Sequence, residues 1–244
     1  MTALWSIPQP VYAADRLAQL RATLDERLRQ IATEPGRIVQ MTSLAVEDMV
    51  ISEVIARLNL AIDIVAIDTG RLHGETLALA DVFLKRFGRP LHWVQPDATA
   101  VADFSARHGL YPMYESLELR HACCHLRKVE PLNRVLAGAS VWLTGQRRSQ
   151  ALTRHELTFV EADRERAMKK FNPIFDFSED DVWAYVHAEE LPINALYHQG
   201  YPSIGCEPCT IAVRAGEDIR SGRWSWERAD KRECGLHTHK KEAI

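Results

Sequence analysis

Apolar side chains recur at helical spacing through residues 12–32, at Leu17, Leu20, Leu24, Leu28 and Ile31, and stop before Glu34-Pro35-Gly36. The spacing predicts an N-terminal helix with one apolar stripe, ended by the Pro-Gly pair. Arg37-Ile38-Val39-Gln40-Met41-Thr42 predicts a strand, and residues 47–59 return to helical spacing behind a short turn at Ser43. The change of period then repeats. Residues 62–67 predict a second strand, and the loop Asp68-Thr69-Gly70-Arg71 leads into a helix reaching Phe87. Residues 91–94 predict a third strand, and 98–108 a further helix. Later, residues 123–136 are expected to be helical, 141–143 extended, and 179–187 helical behind Ser178 as N-cap. Beyond Leu191 no regular period is legible, and residues 214–244 are too polar to build a core of their own, which predicts a mobile C-terminal tail.

Strands alternating with helices through short connections imply an α/β fold, a Rossmann-like parallel sheet with flanking helices. Three parts are expected: an N-terminal helical segment (1–34), an α/β core (35–210) and the tail (211–244). In an open sheet of this kind the ligand sits beyond the C-terminal ends of the strands, so the loops after strands draw attention.

Composition narrows the class. The 244 residues are 46% hydrophobic and 26% charged, as in an ordinary soluble protein with a full core, and no internal repeat is visible. A formal charge of -3 argues against a nucleic-acid binder working through bulk positive charge, so any anion site must be local. No run is long and apolar enough for a membrane helix, and the first residues lack a basic segment followed by an apolar one. The expectation is a cytoplasmic protein, where thiols stay reduced and act as ligands or nucleophiles.

Five cysteines therefore carry weight. Cys123 and Cys124 are adjacent on a predicted helix, and Cys206-Glu207-Pro208-Cys209 is a tight turn far along the chain, so two thiolate pairs could converge on one metal centre. Adjacent helical residues diverge by about 100°, which suits ligands to different irons of an extended cluster better than a compact zinc site. Taken singly, the first pair could be small buried apolar side chains, and the second a redox pair or half a zinc site. Cys234 stands apart among Lys231, Arg232, His237 and His239, whose charge favours a thiolate, although a surface cysteine in a tail would look the same.

Anion-binding candidates follow the strands. Thr42 and Ser43 open the turn before a helix, where free N–H groups and hydroxyls could face a phosphate, or simply cap the helix. Thr144-Gly145-Gln146-Arg147-Arg148, followed by Arg154, brings guanidinium groups to a glycine turn. Arg127 and Lys128 follow the first cysteine pair by one helical turn, and Arg220 and Arg223 lie in the expected tail.

Cys123-Cys124-His125-Leu126-Arg127-Lys128-Val129-Glu130-Pro131-Leu132 resembles the paired-cysteine motif of assimilatory adenylylsulfate reductases, of the phosphoadenylylsulfate reductase family. The segments from Ile67 to His73, from Thr144 to Arg148 and from Tyr201 to Thr210 resemble that family's nucleotide, arginine and second cluster motifs. Arg223-Trp224-Ser225-Trp226-Glu227 and Lys231 to His237 resemble the segment that carries its catalytic cysteine. The resemblance spans residues 36–239; the turn after Thr42 differs in lacking the glycine the family often places there.

The resemblance implies a fold of the adenine nucleotide α-hydrolase type, a [4Fe-4S] cluster on Cys123, Cys124, Cys206 and Cys209, and Cys234 as nucleophile on the sulfur of adenosine 5′-phosphosulfate. AMP would leave an enzyme S-sulfocysteine, from which thioredoxin would release sulfite. It further implies substrate contacts from Thr42, Ser43, Asp68, Thr69, Gly70, Arg71, Lys128, Gly145, Arg147, Arg220, Arg223 and His237, and carries an expectation of a homo-oligomer. Three rival functions are weighed against it. The four cluster cysteines oppose a 3′-phosphoadenylylsulfate reductase. A cluster-bearing tRNA thiolase should show a Gly-rich pyrophosphatase loop and a larger basic surface, and a zinc-stapled binding module would hold zinc and no iron.

Overall fold

The computed structural model describes residues 3–151 and 154–228. Its centre is a six-stranded sheet in the order β3-β2-β1-β4-β6-β5. The strands are β1 (Ile38–Thr42), β2 (Asp63–Ile67), β3 (His92–Val94), β4 (Val141–Leu143), β5 (Val160–Asp163) and β6 (Met168–Phe171). All neighbouring pairs are parallel except β5 with β6. The expected parallel α/β core is therefore present, with one antiparallel hairpin added at its edge.

The alternation of each strand decides what covers it. Ile38, Ile64, Val141, Leu143 and Phe171 pack in one cluster with α1 (Ala14–Ile31), α2 (Val46–Arg57), α3 (Gly74–Phe87) and α7 (Glu179–Ala188). Val39, Val65 and Trp142 pack with Leu132, Val135 and Leu136 of α6 (Glu130–Leu136). Successive strand residues point to opposite faces, so one sheet serves two apolar layers. On α1 the stripe read from the sequence is the buried one, Leu20, Leu24, Leu28 and Ile31. Leu24 is fully buried, and truncation to Ala there should cost about 2–5 kcal/mol.

Ser178 caps α7 as expected: its hydroxyl accepts from Asp181 N at 3.0 Å, and the Asp181 carboxylate accepts from Ser178 N at 2.9 Å. The helix expected at 123–136 begins earlier, at Leu117. It runs as α5 (Leu117–Cys124), a π segment (His125–Val129) and α6. Pro131 accounts for the interruption, because proline has no N–H to give and its ring crowds the carbonyl four residues back; a wider turn relieves both. α4 (Ala98–His108) matches its expected bounds.

The described part of the expected tail, 214–228, packs against the core. Leu4 bridges Arg214, Thr210 bridges Arg223, and Trp224 is 1% exposed. The polar sequence concealed this because the packing uses single anchors, not a periodic face. Residues 229–244, which carry Cys234 and His237, lie outside the described residues.

Candidate functional site

A cavity of about 240 Å³ opens at the C-terminal ends of β1, β2 and β4, lined by Thr42, Ala66 and Thr144 among others. This is where a parallel sheet places its ligand. Behind it lies a smaller pocket lined by Cys123, Cys124, Cys206 and Cys209. Lys128 and Trp224 line both.

The strand–helix turn after β1 is built around Asp48. Its carboxylate accepts from Ser43 N at 2.6 Å, from Ser43 Oγ at 2.8 Å and from Gly145 N at 3.1 Å. Burial raises this carboxyl to about 6, against those hydrogen bonds. Ser43 thus lines the cavity with its hydroxyl engaged by Asp48, and Thr42 Oγ1 accepts from Leu44 N at 3.0 Å. Leu44, in the stretch that lacks a glycine, sits at φ +60°, a conformation glycine adopts without penalty and leucine does not. Gly145 has its own reason: a Cβ there would lie 2.6 Å from Asp48 Oδ1.

The candidates from the sequence divide into three groups. Lys128, Gly145, Arg220 and Arg223 line the larger cavity with Thr42, Ser43 and Thr69. Arg71 instead lines the cysteine pocket, its guanidinium 5.3 Å from the Tyr111 ring centre. Arg147 lines neither. Its guanidinium is 2% exposed and paired with Glu47 at 2.8 Å, so a direct contact between Arg147 and a ligand does not follow from this arrangement. Burial works against the Glu47 carboxylate, but Arg147 and its hydrogen bonds hold that group below the usual range. Arg154, noted in the sequence as following the arginine turn, lines the cavity in place of Arg147.

The loop after β2 joins the two pockets. Gly70 N donates to Asp68 Oδ1 at 2.8 Å, and Gln95 Nε2 donates to Asp68 Oδ2 at 2.8 Å, so Asp68 holds the loop's shape. Thr69 Oγ1 lies 3.3 Å from Cys206 Sγ, Glu207 N donates to Arg71 O at 2.8 Å, and Arg127 Nη1 donates to Thr69 O at 2.7 Å. Gly70, at φ +66°, passes close to that guanidinium.

All four described cysteines are buried, and among the described residues none forms a disulfide. Burial, then the neighbouring Cys206, pushes Cys209 up to about 11 against the pull of Lys128 and Arg223, and burial raises Cys123 against Arg127. Cys123 and Cys209 thus lack the lowered pKa of a reactive thiol. They suit ligands, deprotonated by the metal they bind. Among the described residues no three His, Cys, Asp or Glu side chains form a site for a single metal ion. The four cysteines line one pocket, and thiolates are the donor type that binds soft metals.

Two arginines close the site from the C-terminal segment. Arg223 Nη1 donates to Ile204 O at 3.2 Å, and its guanidinium lies 4.7 Å from the Trp224 ring centre. Arg223 Nε and Trp224 Nε1 are buried with no partner among the described residues. The sequence reading gave no role of their own to Asp48, an acid in the first turn of α2, or to Trp224, which it named only within a motif. Neither shows its part before the loops are folded together.

A family model described as the phosphoadenosine phosphosulfate reductase domain matches residues 37–212. The chain belongs to this family. Membership makes it an oxidoreductase acting on a sulfur group, as the resemblance implied. An adenosine 5′-phosphosulfate reductase from Burkholderia cepacia is 50% identical over 214 residues, 88% of this chain and 86% of that protein. Among solved structures, the phosphate complex of phosphoadenylyl-sulfate reductase from Candida auris aligns with TM-score 0.67 at 26% identity, over 84% of this chain and all of that one. Candida glabrata FMN adenylyltransferase shares the fold alone, with TM-score 0.55 at 14% identity over 83% of this chain and 69% of that one. No helix among the described residues is long and apolar enough to cross a membrane.

Proposed function

We propose that the protein reduces adenosine 5′-phosphosulfate to sulfite and AMP in sulfate assimilation, with thioredoxin as reductant. The observation that carries the reading is the position of Lys128, which lines both the cavity at the strand ends and the four-cysteine pocket. A cavity for a nucleotide and a thiolate-ligated group sharing one cation is the juxtaposition that such an enzyme uses.

The cavity takes the nucleotide. Lys128, Arg154, Arg220 and Arg223 bring positive charge to it, and fixed cations there offset the phosphate and sulfate and the charge that develops on the leaving phosphate. The Cys234 thiolate attacks the sulfate sulfur, the bond from sulfur to the phosphate oxygen breaks, and AMP leaves with that electron pair. The product is an S-sulfocysteine. A thioredoxin thiolate then attacks the Cys234 sulfur, sulfite departs, and the second thioredoxin thiol closes a disulfide that accounts for the two electrons. His237, with Cys234 in the segment beyond Arg228, is assigned to the sulfate.

Cys123, Cys124, Cys206 and Cys209 would hold a [4Fe-4S] cluster, which supplies a fixed charge beside Lys128 and no electrons to the substrate. The buried, partnerless Trp224 Nε1 in the same pocket is a donor a cluster sulfur could accept from. The protein works in the cytoplasm, as a homo-oligomer.

Steady-state kinetics with both nucleotides tests the substrate. The catalytic efficiency with adenosine 5′-phosphosulfate is expected to exceed that with the 3′-phosphorylated compound greatly, and a reversed ratio would sink the assignment.

A further inference from the structure

Gln146 lines the larger cavity at the end of β4 and is 5% exposed. Its side-chain oxygen accepts from Lys170 Nζ at 2.5 Å. An ammonium group only donates, so this contact fixes which end of the amide is which: the oxygen faces Lys170 and the NH2 group faces away. Among the described residues Gln146 Nε2 has no hydrogen-bond partner, yet it is not one of the polar atoms sealed away from solvent. It therefore opens on the cavity with two donors to offer.

Lys170 is an unusual residue for its place. It lies on β6, is 2% exposed, pairs with Glu161 Oε2 at 3.2 Å and sits 5.6 Å from the centre of the Trp142 ring. Glu161 Oε2 also accepts from Asn172 Nδ2 at 2.9 Å, and Asn172 Oδ1 accepts from Thr144 Oγ1 at 3.0 Å. Thr144 lines the cavity as well. An apolar side chain would fill this position at least as well for stability, so the buried charged pair calls for another reason.

We propose that Lys170 is a positioning residue for the nucleotide, holding the Gln146 amide with its NH2 group directed into the cavity, where it donates to an acceptor oxygen of the bound nucleotide. This rests on the nucleotide reading of the cavity. The alternative is that Lys170 only fastens the β5–β6 hairpin to the sheet.

AMP binding to the full chain, measured by calorimetry, separates the two. Gln146→Ala is expected to weaken AMP about tenfold. Lys170→Met combined with Glu161→Gln, which removes both charges together and so spares the fold an unpaired one, should weaken AMP by a similar factor. Adding that pair to Gln146→Ala should cause no further loss, because the lysine then has no amide to hold. Gln146→Glu keeps a partner for Lys170 and keeps the fold, but turns an acceptor toward the ligand, and should lose more than tenfold. Losses that multiply, or a charge-removed pair that binds AMP as the parent does, would overturn the role of Lys170. A parent protein that binds no AMP would overturn the nucleotide reading and this inference with it.

Discussion

Arg120 and Glu227 form a two-point ion pair, Nε to Oε1 at 2.9 Å and Nη2 to Oε2 at 2.8 Å, with the arginine fully buried. The pair joins the helix that ends in Cys123 and Cys124 to the last described stretch of chain, and the guanidinium also lies 4.6 Å from the Trp224 ring centre. Through it the cysteine pocket and the segment leading to Cys234 share one anchor. Removing Glu227 takes from the buried Arg120 guanidinium its two-point partner, so Glu227→Ala should cost about 3–5 kcal/mol in denaturant unfolding. An Arg120→Met, Glu227→Leu double replacement should cost less than the single one. A single replacement with no effect would mean that the contact holds nothing together.

Gly205 makes room for Arg223. A Cβ on Gly205 would stand 2.2 Å from Arg223 Nη2 and 2.5 Å from its Cζ, and the buried guanidinium has little space to retreat. Gly205→Ala should lower kcat/KM for adenosine 5′-phosphosulfate at least tenfold, because a displaced guanidinium no longer offsets the substrate's charge. The melting temperature should move far less than the activity. Unchanged kinetics would remove Arg223 from the proposed site.

Asp48 predicts a pH dependence with a definite sign. Burial lifts its carboxyl from 3.8 to about 6, so between those values the folded protein holds a proton that the unfolded chain has released. Stability from this group is therefore greatest at acid pH and falls as pH rises through about 4 to 6, by roughly 3 kcal/mol. The unfolding free energy of the parent relative to Asp48→Asn should decline across that window. A difference independent of pH would show that burial does not perturb Asp48.

Much of the fold was legible because its elements announce themselves by period. The stripe on α1, the apolar runs of β1 and β2 and the Ser178 cap are local signals, and the structure places them where the sequence does. The β5–β6 hairpin was not legible: Val160-Glu161-Ala162-Asp163 and Met168-Lys169-Lys170-Phe171 are short and charged, and Lys170 is buried only because Glu161 and Gln146 meet it. The site shows the same division. The paired cysteines can be read from their spacing, and the structure gathers all four around one pocket. The fate of each arginine cannot, because Arg147 and Arg154 are alike in sequence and only the fold gives Glu47 to the first and the cavity to the second.

The four-cysteine pocket makes a compositional prediction. Protein purified without oxygen should carry about four irons and four acid-labile sulfides per chain, and Cys209→Ser should lose most of both. Zinc with no iron or sulfide would end the cluster assignment.

The central claim is that Cys234 takes the sulfo group from the nucleotide. Incubating the protein with sulfur-labelled adenosine 5′-phosphosulfate, without thioredoxin, should leave label bound to Cys234, release AMP in equal amount, and give up the label as sulfite when reduced thioredoxin is added. A Cys234→Ser protein that still retains the label would contradict it.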